Sequence, residues 1–112
     1  MNKKEIEQEI KRYEEMDFGY WQMEEIRKGL EKGVDVTKYA DPKFNDLQMQ
    51  EIREGLEKGV DISKYADPKF AGNQMYQIRK GLEDGVNVSK YANPKFDYWR
   101  MDKIRWMLKK EK

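Results

Sequence analysis

Phenylalanine returns every 26 residues, at Phe18, Phe44, Phe70 and Phe96, and each opens a copy of one unit whose second instance reads FNDLQMQEIREGLEKGVDISKYADPK. A unit this short cannot bury its own apolar face, so neighbouring copies must complete its core. The period divides the 112 residues into a single repeat domain. An N-terminal cap helix spans 1–17, full repeats span 18–43, 44–69 and 70–95, and a truncated repeat spans 96–112.

Each unit starts with a helix signal. In the second copy Asn45 is the N-cap, with Gln48 three positions on to complete a capping box and Phe44 and Met49 placed for a hydrophobic staple. Gln22 and Gln74 repeat the box position, whereas Arg100 departs from it; Asp97 is a good cap, Gly19 a fair one and Ala71 a poor one. Met49, Ile52 and Leu56 then form a stripe of helical period, repeated as Met23, Ile26, Leu30 and as Met75, Ile78, Leu82. Gly33, Gly59 and Gly85 close the helices with the positive φ that a C-terminal cap requires.

Gly29, Gly55 and Gly81 lie inside these helices, where each costs about 1 kcal/mol relative to alanine. Close approach of another segment is the compensation expected. The fourth copy carries Met107 instead, and no second segment follows it. That segment reads VDVTKYA, VDISKYA and VNVSKYA, a short helix or single turn capped by Asp35, Asp61 or Asn87 and ended before Pro42, Pro68 or Pro94. Its β-branched residues also permit a strand, but the connections are too short for parallel pairing. The N-terminal cap shows its own helical stripe, Ile6, Ile10 and Tyr13, behind an Asn2/Glu5 capping box. The fold expected is all-α, a short-repeat solenoid of long and short helices with cap helices at both ends.

Composition restricts the chemistry. Charged residues make up 40% against 38% hydrophobic, which suits a thin, elongated core. There is neither cysteine nor histidine, so thiolate sites and the commonest metal ligand and general base are missing. Every Asp and Glu has a capping or solvated-helix explanation, so neither an enzyme nor a cofactor is expected. The start MNKKEIEQEI is charged throughout and no apolar run approaches a bilayer span, which points to a cytoplasmic protein without a membrane partner.

Two surfaces are candidates for binding. Between copies the core rows are constant, while three rows change: Tyr20, Asp46, Gly72, Tyr98; Trp21, Leu47, Asn73, Trp99; and Glu24, Gln50, Tyr76, Asp102. Within a repeat scaffold such a row marks a recognition face, with Tyr20, Trp21, Leu47, Tyr76, Tyr98 and Trp99 as anchors for an unidentified protein. Drift on an unused solvent face would give the same pattern. The other candidate is electrostatic. Arg27, Arg53, Arg79 and Arg105 hold one register position, flanked by rows of lysine at Lys38, Lys64, Lys90 and at Lys43, Lys69, Lys95. Such rows suit nucleic acid or an acidic partner. The alternative is internal ion pairing, because Glu31, Glu57 and Glu83 follow three of those arginines at i+4.

The last helix, FDYWRMDKIRWMLKKEK, interleaves aromatic and basic residues, and either it binds an acidic partner or Trp106 and Met107 cover the end of the core. Charge is also asymmetric. Residues 1–69 carry a net −4 and residues 70–112 a net +5, which permits weak head-to-tail self-association.

The string formed by QM, IR, GLE, GV and YADPKF resembles short helical repeats of uncharacterised proteins from gut Firmicutes, their phages and mobile elements. The resemblance covers the chain from Phe18 onward. It implies an all-helical repeat in a bacterial or phage cytoplasmic protein that interferes with a host factor, and it carries no catalytic or ligand residue.

Overall fold

Helices begin where the capping residues place them. The computed structural model describes residues 1–111, which form α1 (Lys3–Glu14), α2 (Tyr20–Lys32), α3 (Asp46–Lys58), α4 (Gly72–Asp84) and α5 (Tyr98–Lys110). No strand occurs among the described residues. The second segment of each copy is smaller than a short helix: a single 3₁₀ turn at Val36–Lys38, Ile62–Lys64 and Val88–Lys90. Asp35, Asp61 and Asn87 cap these turns by accepting the N–H of Thr37, Ser63 and Ser89, each at 3.1 Å.

The long helices end in a Schellman arrangement. At α2, Gly33 has φ 75°, its N–H donates to the Leu30 carbonyl at 3.2 Å, and the Val34 N–H donates to Gly29 at 3.0 Å. Gly59 and Gly85 repeat it. The left-handed turn swings the chain back so that the 3₁₀ turn lies on the helix it has just left.

Interior glycines make that return possible. A Cβ on Gly29 would stand 2.0 Å from the Tyr39 hydroxyl and 2.6 Å from Val36 Cγ1; on Gly55 and Gly81 it would meet Tyr65 and Tyr91 at 2.0 and 1.9 Å. Each tyrosine is fully buried and donates its hydroxyl at 2.6 Å to a carbonyl one helical turn before the glycine, Glu25, Glu51 or Gln77. The hydroxyl therefore has a partner in an apolar setting where an unpaired one would be expensive.

Neighbouring helices pack in succession. Gln22 at the start of α2 reaches the carbonyl of Phe44 just before α3, and Arg53 in mid-α3 reaches Glu25 in mid-α2. Like ends therefore lie together and α2 to α5 run parallel. The short link after α1 reverses the chain, and Glu7 of α1 faces Arg27 of α2 while Tyr13 meets Phe18 edge-on at 6.3 Å, an antiparallel pair. The core is one row of buried side chains, Ile6 and Ile10 continuing through Ile26, Met49, Ile52, Met75, Ile78 and Met101. The molecule measures 48 × 25 × 16 Å, so no helix lies far from water. No helix of the described residues is long and apolar enough to cross a membrane.

Candidate interaction surface

Two sets of residues that look alike in the sequence have different fates, and the capping glutamines show why. In each box the Gln side chain accepts the N-cap N–H, from Gly19 at 2.7 Å, Asn45 at 2.8 Å and Ala71 at 2.8 Å. Its amide nitrogen then donates across to the next copy, to Phe44 at 2.6 Å, Phe70 at 2.7 Å and Phe96 at 2.8 Å. A glutamate could cap the helix but could not make the second bond, because an ionised carboxylate only accepts.

The arginine row is used in the same seams. Arg53 Nε donates to Glu25 at 2.8 Å, Arg79 Nε to Glu51 at 2.9 Å and Arg105 Nε to Gln77 at 2.8 Å, in each case a residue of the preceding helix. Two of the three expected i+4 pairs also form, Arg53 with Glu57 and Arg79 with Glu83, whereas Arg27 turns to Glu7 of α1 and not to Glu31. Arg79 adds Glu54 at 2.9 Å and Arg105 adds Asp84 at 2.9 Å. Arg53, Arg79 and Arg105 are buried, and only Arg27, which holds Glu7 at 2.6 Å, is partly open. Burial acts to lower the pKa of Arg53 and Arg79, but hydrogen bonds to carboxylates outweigh it and hold both above the ordinary value. Burial conversely raises the Glu51 carboxyl, with Arg79 opposing. The arginine forks thus already have protein ligands. Arg79 also lies over the Tyr76 ring, at 5.4 Å from its centre. Both lysine rows are exposed.

The variable rows lie elsewhere. They fall on the first two turns of α2 to α5, and because those helices are parallel they form one edge of the molecule, from which Asp102 turns back to Gln77 and Arg105. Tyr20, Trp21, Leu47 and Trp99 are exposed there, while Tyr76 and Tyr98 are half-buried. Tyr20 packs edge-on to Trp21 at 4.9 Å and Tyr98 to Trp99 at 5.3 Å, so each pair is a stiff aromatic projection. Between them lies a notch. A hollow of about 320 Å³ is lined by Leu47, Gly72, Asn73, Tyr76 and Tyr98, and Leu47 leans over Gly72 so closely that a Cβ there would meet it at 3.0 Å. A second hollow of about 440 Å³ lies between Trp21 and Asp46.

Trp106 and Met107, expected as a cover over the end of the core, instead stand on the outer face of α5, half exposed. Sequence reasoning missed the acceptor row of Glu25, Glu51 and Gln77. Its signal was present, since these residues lie two positions before each arginine and read Glu, Glu and Gln through the first three copies. Comparison with protein-family models, with curated proteins and with solved structures returns no match.

Proposed function

We propose that this chain is a non-enzymatic protein-interaction scaffold, a short α-solenoid with a capping helix at each end, which contacts a partner protein through the edge formed by the first turns of α2 to α5. One observation carries the reading. The copies differ most where side chains are exposed and large, at Tyr20, Trp21, Leu47 and Trp99, and the first three copies keep the glutamine and arginine that bridge one helix to the next. Rigid aromatic anchors around a notch are what a small interface needs, because a few such residues supply most of its energy. The buried, carboxylate-paired arginines favour this reading over nucleic-acid binding through the arginine row.

The test is affinity capture from a bacterial lysate, with and without nuclease, by wild type and by a Tyr20, Trp21, Leu47, Trp99→Ser variant of unchanged helicity. The proposal expects a protein that survives nuclease and is lost by the variant. Retention by the variant, or loss on nuclease treatment, contradicts it.

A further inference from the structure

The outer face of α5 departs from the pattern by which one helix receives the next. The acceptor that takes the following arginine is Glu25, Glu51 and Gln77 in α2, α3 and α4, but the same register in α5 is Lys103, exposed and without a carboxylate partner among the described residues. The bridging glutamine becomes Arg100, which lies over the Phe96 ring at 3.9 Å and, having no acceptor atom, cannot close the capping box of its own helix as the glutamines do. The interior glycine becomes Met107, and the Cβ distances at Gly81 show that a tyrosine turn has no room over a side chain at that register. A further copy of this unit would meet a cation, not a carboxylate, with its arginine.

The face is nevertheless not a polar end. Trp99, Trp106 and Met107 are 75%, 48% and 53% exposed, and Lys103 and Lys110 lie between them. Trp99, Lys103, Trp106 and Lys110 follow four-three-four spacing, which sets them in one stripe along the helix. Aspartate on α5 lies away from it, since Asp102 is turned to Gln77 and Arg105. Every other seam in the array joins a helix to a helix through opposite charges around an apolar strip. On α5 the strip remains and the sign is reversed.

We infer that the outer face of α5 is a docking surface for an acidic amphipathic helix of another protein, whose carboxylates meet Lys103 and Lys110 and whose small apolar residues seat against Trp106 and Met107. This surface adjoins the edge at the helix starts through Trp99, but the contacts that define it, Lys103, Trp106, Met107 and Lys110, lie outside that edge and do not depend on it.

The experiment selects helical peptides, randomised on one face, against the full chain. Winners are then titrated against wild type and against K103E/K110E, with melting temperature as the control for folding. The inference expects Asp and Glu to be enriched at three-four spacing. It also expects binding about tenfold weaker to the variant and restored when the peptide's acids are changed to lysine. Peptides without acidic enrichment, or affinities indifferent to the swap, overturn it. So would tighter, K103E/K110E-sensitive binding of oligo(dT) or of vesicles containing phosphatidylserine, which would make the surface one for nucleic acid or lipid. Dimerisation of the chain itself, abolished by Trp106→Ser, would assign the face to a second copy and equally overturn the inference.

Discussion

Gly55 and Tyr65 show how much a single residue pair controls. The helix tolerates glycine because the Tyr65 hydroxyl occupies the space a methyl would need, 2.0 Å from the ideal Cβ. Gly55→Ala should therefore destabilise by about 1 to 3 kcal/mol despite alanine's better helix propensity, read as a lower melting temperature. A rise would contradict the close packing. The tyrosines also set an alkaline limit. Burial pushes the pKa of Tyr39, Tyr65 and Tyr91 well above the ordinary 10.0. The unfolded chain loses these protons first, so the stability they contribute is intact below pH 10 and declines as pH rises beyond it. Tyrosinate absorbance during an alkaline titration should show these three ionising only as helicity is lost. A variant with phenylalanine at all three should lose less stability between pH 9 and about 11 than wild type does. Equal losses would place the cause elsewhere.

Among the elements, the helix starts separate what the sequence reveals from what it conceals. Caps, the positive-φ glycines and the close-approach glycines were legible because each acts over a few residues, and local chemistry limits the choices there. The second duty of Gln48 was not legible, because its partners Phe70 and Pro68 lie 22 and 20 residues away, across a helix pair. The Nε partners of the arginines were hidden for the same reason, whereas the i+4 partners were found. The clue was the choice of glutamine over glutamate in three boxes. Gln48→Glu keeps the cap of α3 but leaves the Phe70 carbonyl facing a carboxylate, so it should cost about 1 to 3 kcal/mol at pH 7 in denaturant unfolding. A neutral or stabilising effect would mean that the glutamine serves only its own helix. Of the two forms open to the return segment, a short helix or a single turn, it takes the second, one 3₁₀ turn, since three residues between an Asx cap and a buried tyrosine leave no length for more.

At the scale of the molecule, each helix is tied to the next by side-chain bridges over one continuous apolar core of Ile, Met, Phe, Val and Tyr. The exposed aromatic edge and the reversed face of α5 are the places where that pattern is not used to hold the chain together. The variable edge was legible as contrast between copies, but the notch at Gly72 was not, because it depends on Leu47 of the neighbouring helix. The account stands or falls on the seams being energetic and not incidental. A double-mutant cycle of Glu51→Ala and Arg79→Ala, 28 residues apart and joined at 2.9 Å, tests this directly by equilibrium unfolding. Arg79→Ala leaves Glu51 buried without its partner and should cost about 3 to 5 kcal/mol, Glu51→Ala should cost less because Arg79 keeps Glu54 and Glu83, and the pair should be coupled by about 1 kcal/mol or more. Additivity within about 0.5 kcal/mol would show that the two helices are held by apolar packing alone and would contradict the account.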